Sequence, residues 1–309
     1  MTTDLKFGRR APKNAPALKL ADILSGTVPA HPPTADHLDI SGWDMLGNDQ
    51  YGDCVAVTWA NYRRLMSRLA GAEKYPDLNA VIEFYKTQNP NFPTDDNGMD
   101  IQTALEHLVK NGGPDGTKAV AFAKVDHTNP EEVKAAIAIF GAVWTGVYVQ
   151  AAQMDQFRNG QPWDYVAGSQ DDGGHSIITG GYDSDGQGGD ERFVTWAQET
   201  SFTDAFWSHQ VEEAWVVIWP ENWGTSQFTE GISPEALVTA FHELTGGTVQ
   251  PPVQPTPTPP QPQPSPTPNP ASPDTALAAA AHTWLEHHHI GINGVFARHV
   301  TMWLEDKGL

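Results

Sequence analysis

Apolar side chains recur at helical spacing in four stretches of the chain. Over residues 55–69, Val55, Trp59, Tyr62, Met66 and Leu69 fall on one side, which predicts a helix. Residues 76–85 read as a second helix, with Asp77 or Asn79 available as its cap. In residues 100–111, Ile101, Ala104, Leu105 and Leu108 are helically spaced and the run stops at Gly112-Gly113-Pro114. Residues 130–140 open with Pro130, Glu131 and Glu132, the chemistry of a first helical turn. The remaining apolar runs are short and β-rich: residues 119–125, 142–149, 176–179, 192–196 and 213–219. Residues 90–98 and 183–191 read as loops, and an aromatic loop at 163–166 precedes the strand at 176. Early helices followed by late antiparallel strands predict an α+β fold, one half mainly helical and the other mainly sheet.

The two ends follow different rules. Residues 6–33 are rich in Pro, Ala and Lys and read as an irregular leader wrapped on the body, with one or two helical turns over 18–24. Residues 246–274 are Pro, Thr, Gln and Ser with almost no large apolar side chains. They cannot bury a core and are expected to form an extended spacer of about 3 Å per residue. Beyond the spacer, helices are predicted over 276–287 and 295–307 around a turn at 291–294, and His282-Thr283-Trp284-Leu285-Glu286 is echoed by Thr301-Met302-Trp303-Leu304-Glu305. A hairpin this small does not hold itself together, so it is expected to dock on a protein partner. The chain thus divides into a leader (1–38), a body (39–245), a Pro-rich linker (246–274) and a C-terminal helical hairpin (275–309).

Charge narrows the partners. The 38 acidic against 18 basic residues give a net charge of -20, spread through the chain, which repels phosphate backbones and anionic lipid. Nucleic acid and membrane are therefore not expected partners. Residues 1–10 lack the apolar core of a signal peptide, and no run is long enough to span a bilayer, so synthesis in the cytoplasm is expected. One cysteine cannot form an internal disulfide and leaves a free thiol to account for.

That cysteine, Cys54, follows the glycine-punctuated loop Gly47-Asn48-Asp49-Gln50-Tyr51-Gly52-Asp53 and heads the first predicted helix. A helix N-terminus favours a thiolate. A thiol also needs a base to act as a nucleophile near neutral pH. His175, at the start of a strand after Gly173-Gly174, supplies one if the fold brings the two together.

From about residue 39 to 219 the sequence resembles the papain-like cysteine peptidases. Gly52-Asp53-Cys54 stands where that family has Gly-Ser-Cys, and Asn48 takes the place of its oxyanion-hole glutamine. The stretch from Gly98-Met99-Asp100 to Asn111-Gly112-Gly113 is similar to its second helix, and residues 133–149 to the helix, glycine and strand before the histidine strand. Residues 174–182 (GHSIITGGY) are similar to the histidine strand itself. The family's Asn-Ser-Trp-Gly falls on Val194-Thr195-Trp196-Ala197, so the residue that orients the imidazole is either Thr195, after a shift of register, or Gln198. The resemblance implies a two-lobed fold and acyl transfer on a peptide or amide bond. Cys54 would be nucleophile, His175 base, Asn48 oxyanion donor, and Gly52, Asp53, Gly174 and Trp196 would line the cleft, with no cofactor and no metal.

Two functions remain open on the sequence. One is an active peptidase or amidase; the other is a catalytically impaired papain-fold head displayed on a larger assembly, such as a virus particle, through the stalk and C-terminal anchor. Trp43, Trp59, Trp144, Trp163 and Trp196 serve either as cleft lining or as core. Asp183, Asp185, Asp190 and Glu191 do not have EF-hand spacing, His282 with His287-His288-His289 reads as a chance cluster, and Trp215, Trp219 and Trp223 are a weak candidate for a sugar platform.

Overall fold

A computed structural model describes residues 5–245 and 248, apart from 14, 16, 27 and 184–190. The predicted C-terminal hairpin and, save for position 248, the Pro-rich linker lie outside the described residues. Among those described, no helix is long and apolar enough to cross a membrane.

The elements run β1 (Ala35–Asp36), α1 (Cys54–Leu69), α2 (Leu78–Tyr85), α3 (Ile101–Lys110), β2 (Ala121–Lys124), α4 (Pro130–Phe140), β3 (Val143–Gln150), α5 (Ala151–Arg158), β4 (Asp171–Tyr182), β5 (Glu191–Thr195), β6 (Gln198–Phe202), α6 (Asp204–Gln210), β7 (Val211–Ile218), α7 (Ser226–Gly231) and α8 (Pro234–Thr245). Their strands form one antiparallel sheet in the order β2-β7-β3-β4-β5-β6, with β1 on β4. The architecture is α+β, as expected from helices first and strands later.

Both faces of the sheet are buried, which explains why its central strands read as nearly continuous apolar runs. The period-2 alternation survives inside them. Val143, Val147, Ile177, Phe193, Val216 and Ile218 face a core closed by α4, α6, α7 and α8, whereas Trp144, Ile178, Val194, Trp215 and Val217 face a second core closed by α1, α2 and α3. Trp59, Trp144, Trp163, Trp215 and Trp219 are fully buried in these cores. That settles them as packing residues and not as cleft lining or a sugar platform. Trp43 is also buried, under the Arg64 guanidinium, and Trp223 packs on Phe228.

α1 is buried on nearly every side, which its helical stripe alone does not predict. Its polar face is covered because Arg63 pairs with Asp115 and Glu221 over the Trp219 ring, and Arg64 pairs with Glu73 over Tyr75. Paired and stacked guanidinium groups tolerate burial that lone charges do not. The sequence also gave no sign of α5 to α8 and β6, which are short or weakly periodic.

Candidate active site

Cys54 is the first residue of α1, after Asp53 at the cap position. The loop before it is fixed by a residue that sequence reasoning missed. Asp96 accepts the Gly52 N–H at 3.0 Å and the Tyr85 hydroxyl at 2.5 Å, tying the Gly47–Asp53 loop to the 90–98 loop. Asp53, expected to line the cleft, is fully buried at the head of α1, and burial, the largest cause, raises its pKa to about 8.

His175 lies on β4, paired with Val147 of β3. A side-chain relay fixes β4 against the start of α1: Trp144 Nε1 donates to Ser176 Oγ at 2.8 Å, Ser176 Oγ donates to Thr58 Oγ1 at 3.0 Å, and Thr58 Oγ1 donates to the Cys54 carbonyl at 2.8 Å. The relay therefore sets the residue that follows His175 against the first turn of α1, although the two are far apart in the chain.

The imidazole is held from three sides. Its Nε2 is 2.7 Å from Thr195 Oγ1, its face stacks on Trp196 at 4.3 Å between centroids, and Phe7 meets it edge-on at 5.8 Å. Its Nδ1 is buried with no hydrogen-bond partner, so one nitrogen is anchored and the other is free. Of the two orienting residues left open by the sequence, Thr195 makes the contact. Gln198 is exposed on β6, directly across the β5–β6 hairpin. The register question resolves because Val194 points into the helical-lobe core and Thr195, next along, points to the other face. Trp196 and Ala197 form the hairpin's two-residue turn with φ of 41° and 63°. Both are left-handed values that cost a non-glycine residue about 1 kcal/mol or more, and they place the indole under the imidazole.

The leader passes directly through this site. Gly8 N and Arg9 N both donate to the Gly174 carbonyl at 3.2 and 3.0 Å, while Met99 N donates to Gly8 O at 2.8 Å and Arg10 N to Met99 O at 2.9 Å. Residues 8–10 are thus bonded to both walls of the cleft. The fit depends on glycine: a Cβ on Gly8 would lie 1.8 Å from the Gly52 carbonyl oxygen, and one on Gly98 or Gly174 would lie 1.9 or 2.3 Å from the strap's own backbone. Asn48 Nδ2 donates to Lys6 O at 3.3 Å, as does Trp196 Nε1, and Asn48 Nδ2 also donates to Tyr51 O at 3.1 Å.

Covered in this way, the pair is uncharged. Burial, the largest cause, pushes the Cys54 thiol up to about 12 and pulls His175 down to about 3, the latter helped by the nearby Arg9 charge. Among the described residues no group of three His, Cys, Asp or Glu side chains is placed to hold a metal.

The architecture matches solved structures. It is similar to xylellain, a cysteine protease from Xylella fastidiosa, with a TM-score of 0.56 at 15% identity, covering 70% of this chain and 97% of that one. Procathepsin B S9 from Trypanosoma congolense gives a TM-score of 0.47 at 11% identity, over 70% of this chain and 80% of that one. No protein-family model matches the sequence, and no curated protein does. The fold is papain-like.

Proposed function

We propose that the protein is a cysteine peptidase or amidase whose cleft is kept closed by its own residues 6–10. The observation that carries this reading is the buried imidazole with Nε2 on Thr195 and Nδ1 free, on the strand fixed by the Ser176–Thr58 relay to the head of the Cys54 helix.

With the strap displaced, water returns and the thiol passes its proton to His175 Nδ1 while Thr195 and Trp196 hold the ring. The Cys54 sulfur attacks the substrate carbonyl carbon, and the carbonyl π electrons move to oxygen. Asn48 Nδ2, which already donates to a peptide carbonyl at Lys6, stabilises that oxyanion. The oxyanion collapses, the C–N bond breaks, and His175 gives its proton to the departing amine. Water then attacks the thioester, His175 takes its proton, and the C–S bond breaks. The carboxylic acid leaves and the thiol is restored.

The test uses a full-length Gly8→Val variant, whose side chain cannot be seated against the Gly52 carbonyl. An electrophilic peptide probe is expected to label Cys54 in this variant at pH 6, and labelling is expected to vanish when His175→Ala is added. Thiol reactivity that rises only above pH 8 and ignores His175 would reject catalysis and leave a papain-fold binding head.

A further inference from the structure

Away from the Cys54 cleft, a cavity of about 400 Å³ lies between α4, α6 and the far end of β4. We infer that it is a second binding site, which takes a small zwitterion with an apolar body, of the amino-acid or dipeptide type. Such binding does not depend on turnover at Cys54. The two places are well separated: Tyr182 closes β4 and lines the cavity, whereas His175 sits in the first half of that strand, roughly 23 Å away at about 3.3 Å per residue.

The walls are in place before any ligand arrives. Trp207 Nε1 donates to the His127 carbonyl at 2.7 Å, and the Tyr182 hydroxyl donates to the Pro32 carbonyl at 2.9 Å. With their polar tips engaged and most of their surface buried, both rings are fixed, and a ligand meets them without the cost of ordering them. The α4 helix supplies the rest of the apolar lining. Pro130, Val133, Lys134 and Ile137 fall at helical spacing on one face of it, so a lysine stands in an otherwise apolar stripe. Cavities that enclose small molecules span roughly 300–1,000 Å³, and this one is within that range.

The charges in the lining define the ligand. Lys134 is half-buried with its ammonium 6.0 Å from the centre of the Tyr182 ring, and among the described residues no carboxylate pairs with it. Asp204, the first residue of α6, is likewise without an ion pair among them. Asp183 and Glu191 also line the cavity, but each has a partner of its own. Burial, the largest cause, lowers the pKa of His127 and keeps it neutral. What remains is one cation and one anion on two different helices, beside an aromatic and aliphatic surface. A carboxylate alone satisfies Lys134 and is repelled by Asp204; an ammonium alone does the reverse. A molecule that carries both answers both charges, and its apolar body covers the rings and the α4 stripe. Short peptides, the products of a peptidase, belong to this class.

The experiment titrates phenylalanine, 3-phenylpropionate and phenethylamine into the full-length protein by calorimetry, and follows the Val133 and Ile137 methyl signals by NMR. Phenylalanine is expected to bind saturably and to shift both signals. Each single-charge probe is expected to bind about fivefold more weakly, the scale of a partly exposed ion pair. Lys134→Gln is expected to remove the advantage of phenylalanine over phenethylamine, and Asp204→Asn its advantage over 3-phenylpropionate. Neither side chain belongs to the apolar core, so both variants are expected to fold. Equal affinity for the three probes, advantages that neither substitution moves, or no saturable binding overturns the inference. Shifts confined to His175 would place the ligand in the cleft and reject the second site.

Discussion

Residues 8 and 9 are neighbours in the same strap, yet opposite features hold them in the cleft. Gly8 fits because it has no side chain: the Gly52 carbonyl oxygen occupies the space where a Cβ would go. Arg9 fits because of its side chain, which neutralises Glu213 in a fully buried ion pair. Steric exclusion at residue 8 is all-or-none, since packed backbone does not yield. The ion pair at residue 9 is graded, since Arg9 returns to water when the strap leaves and Glu212, its second partner, is already 40% exposed.

The largest expected effect tests the steric half. Overpacking a tight site costs about 1–3 kcal/mol where neighbours can shift, and here the neighbour is backbone, so Gly8→Val is expected to raise Cys54 alkylation roughly a hundredfold. A rate equal to that of the parent would mean that the strap does not guard the thiol. Arg9→Ala tests the other half and is expected to raise alkylation by about tenfold, because each lost charge-assisted hydrogen bond is offset in part by rehydration of the glutamates.

Protons act on the strap through the covered pair. His175 is at about 3 in the closed state and near 6.5 in an open, hydrated one. The open form then binds the extra proton, and closure weakens as pH falls from about 6.5 toward 3. Cys54 works in the opposite sense. Its thiol is at about 12 when covered and nearer 9 when open, so closure also weakens as pH rises from about 9 toward 12. Protection of the strap from limited proteolysis is therefore expected to be greatest between about pH 6.5 and 9. A flat profile would show that the pair is not desolvated by the strap.

The smaller effects concern the imidazole's supports. Thr195→Val, in the opened protein, is expected to lower kcat by about tenfold or more while leaving the melting temperature almost unchanged, because one oriented hydrogen bond is lost at a single ring nitrogen. Restoration of kcat by Thr195→Ser would separate positioning from packing. Ala197→Gly relieves a left-handed alanine at φ 63° and is expected to stabilise the fold by about 0.5–1 kcal/mol, read from urea unfolding.

Much of the fold was legible in the chain because α1, α3 and α4 carry clear periodicity and capping signals, and the central strands carry β-branched runs. Cys54 and His175 could be singled out by type and position, and Asn48 through the resemblance to papain-like peptidases. Thr195 could be narrowed only to a pair with Gln198, since a one-residue difference in register decides which side chain faces the ring. Asp96, Glu213 and Arg9 went unseen because nothing local marks them: their roles come from contacts with partners 44, 204 and 138 positions away.

The amino-acid order by itself determined α1 to α4, the central strands, the lone thiol at a helix head and the histidine after two glycines, because these depend on neighbours within a turn or two. Only the tertiary structure decided that the leader lies in the cleft, that Thr195 holds the imidazole, and that an arginine fills an acidic pocket beside it. Those depend on which surfaces meet when the sheet closes against the helices, and burial then sets the charge on every group enclosed.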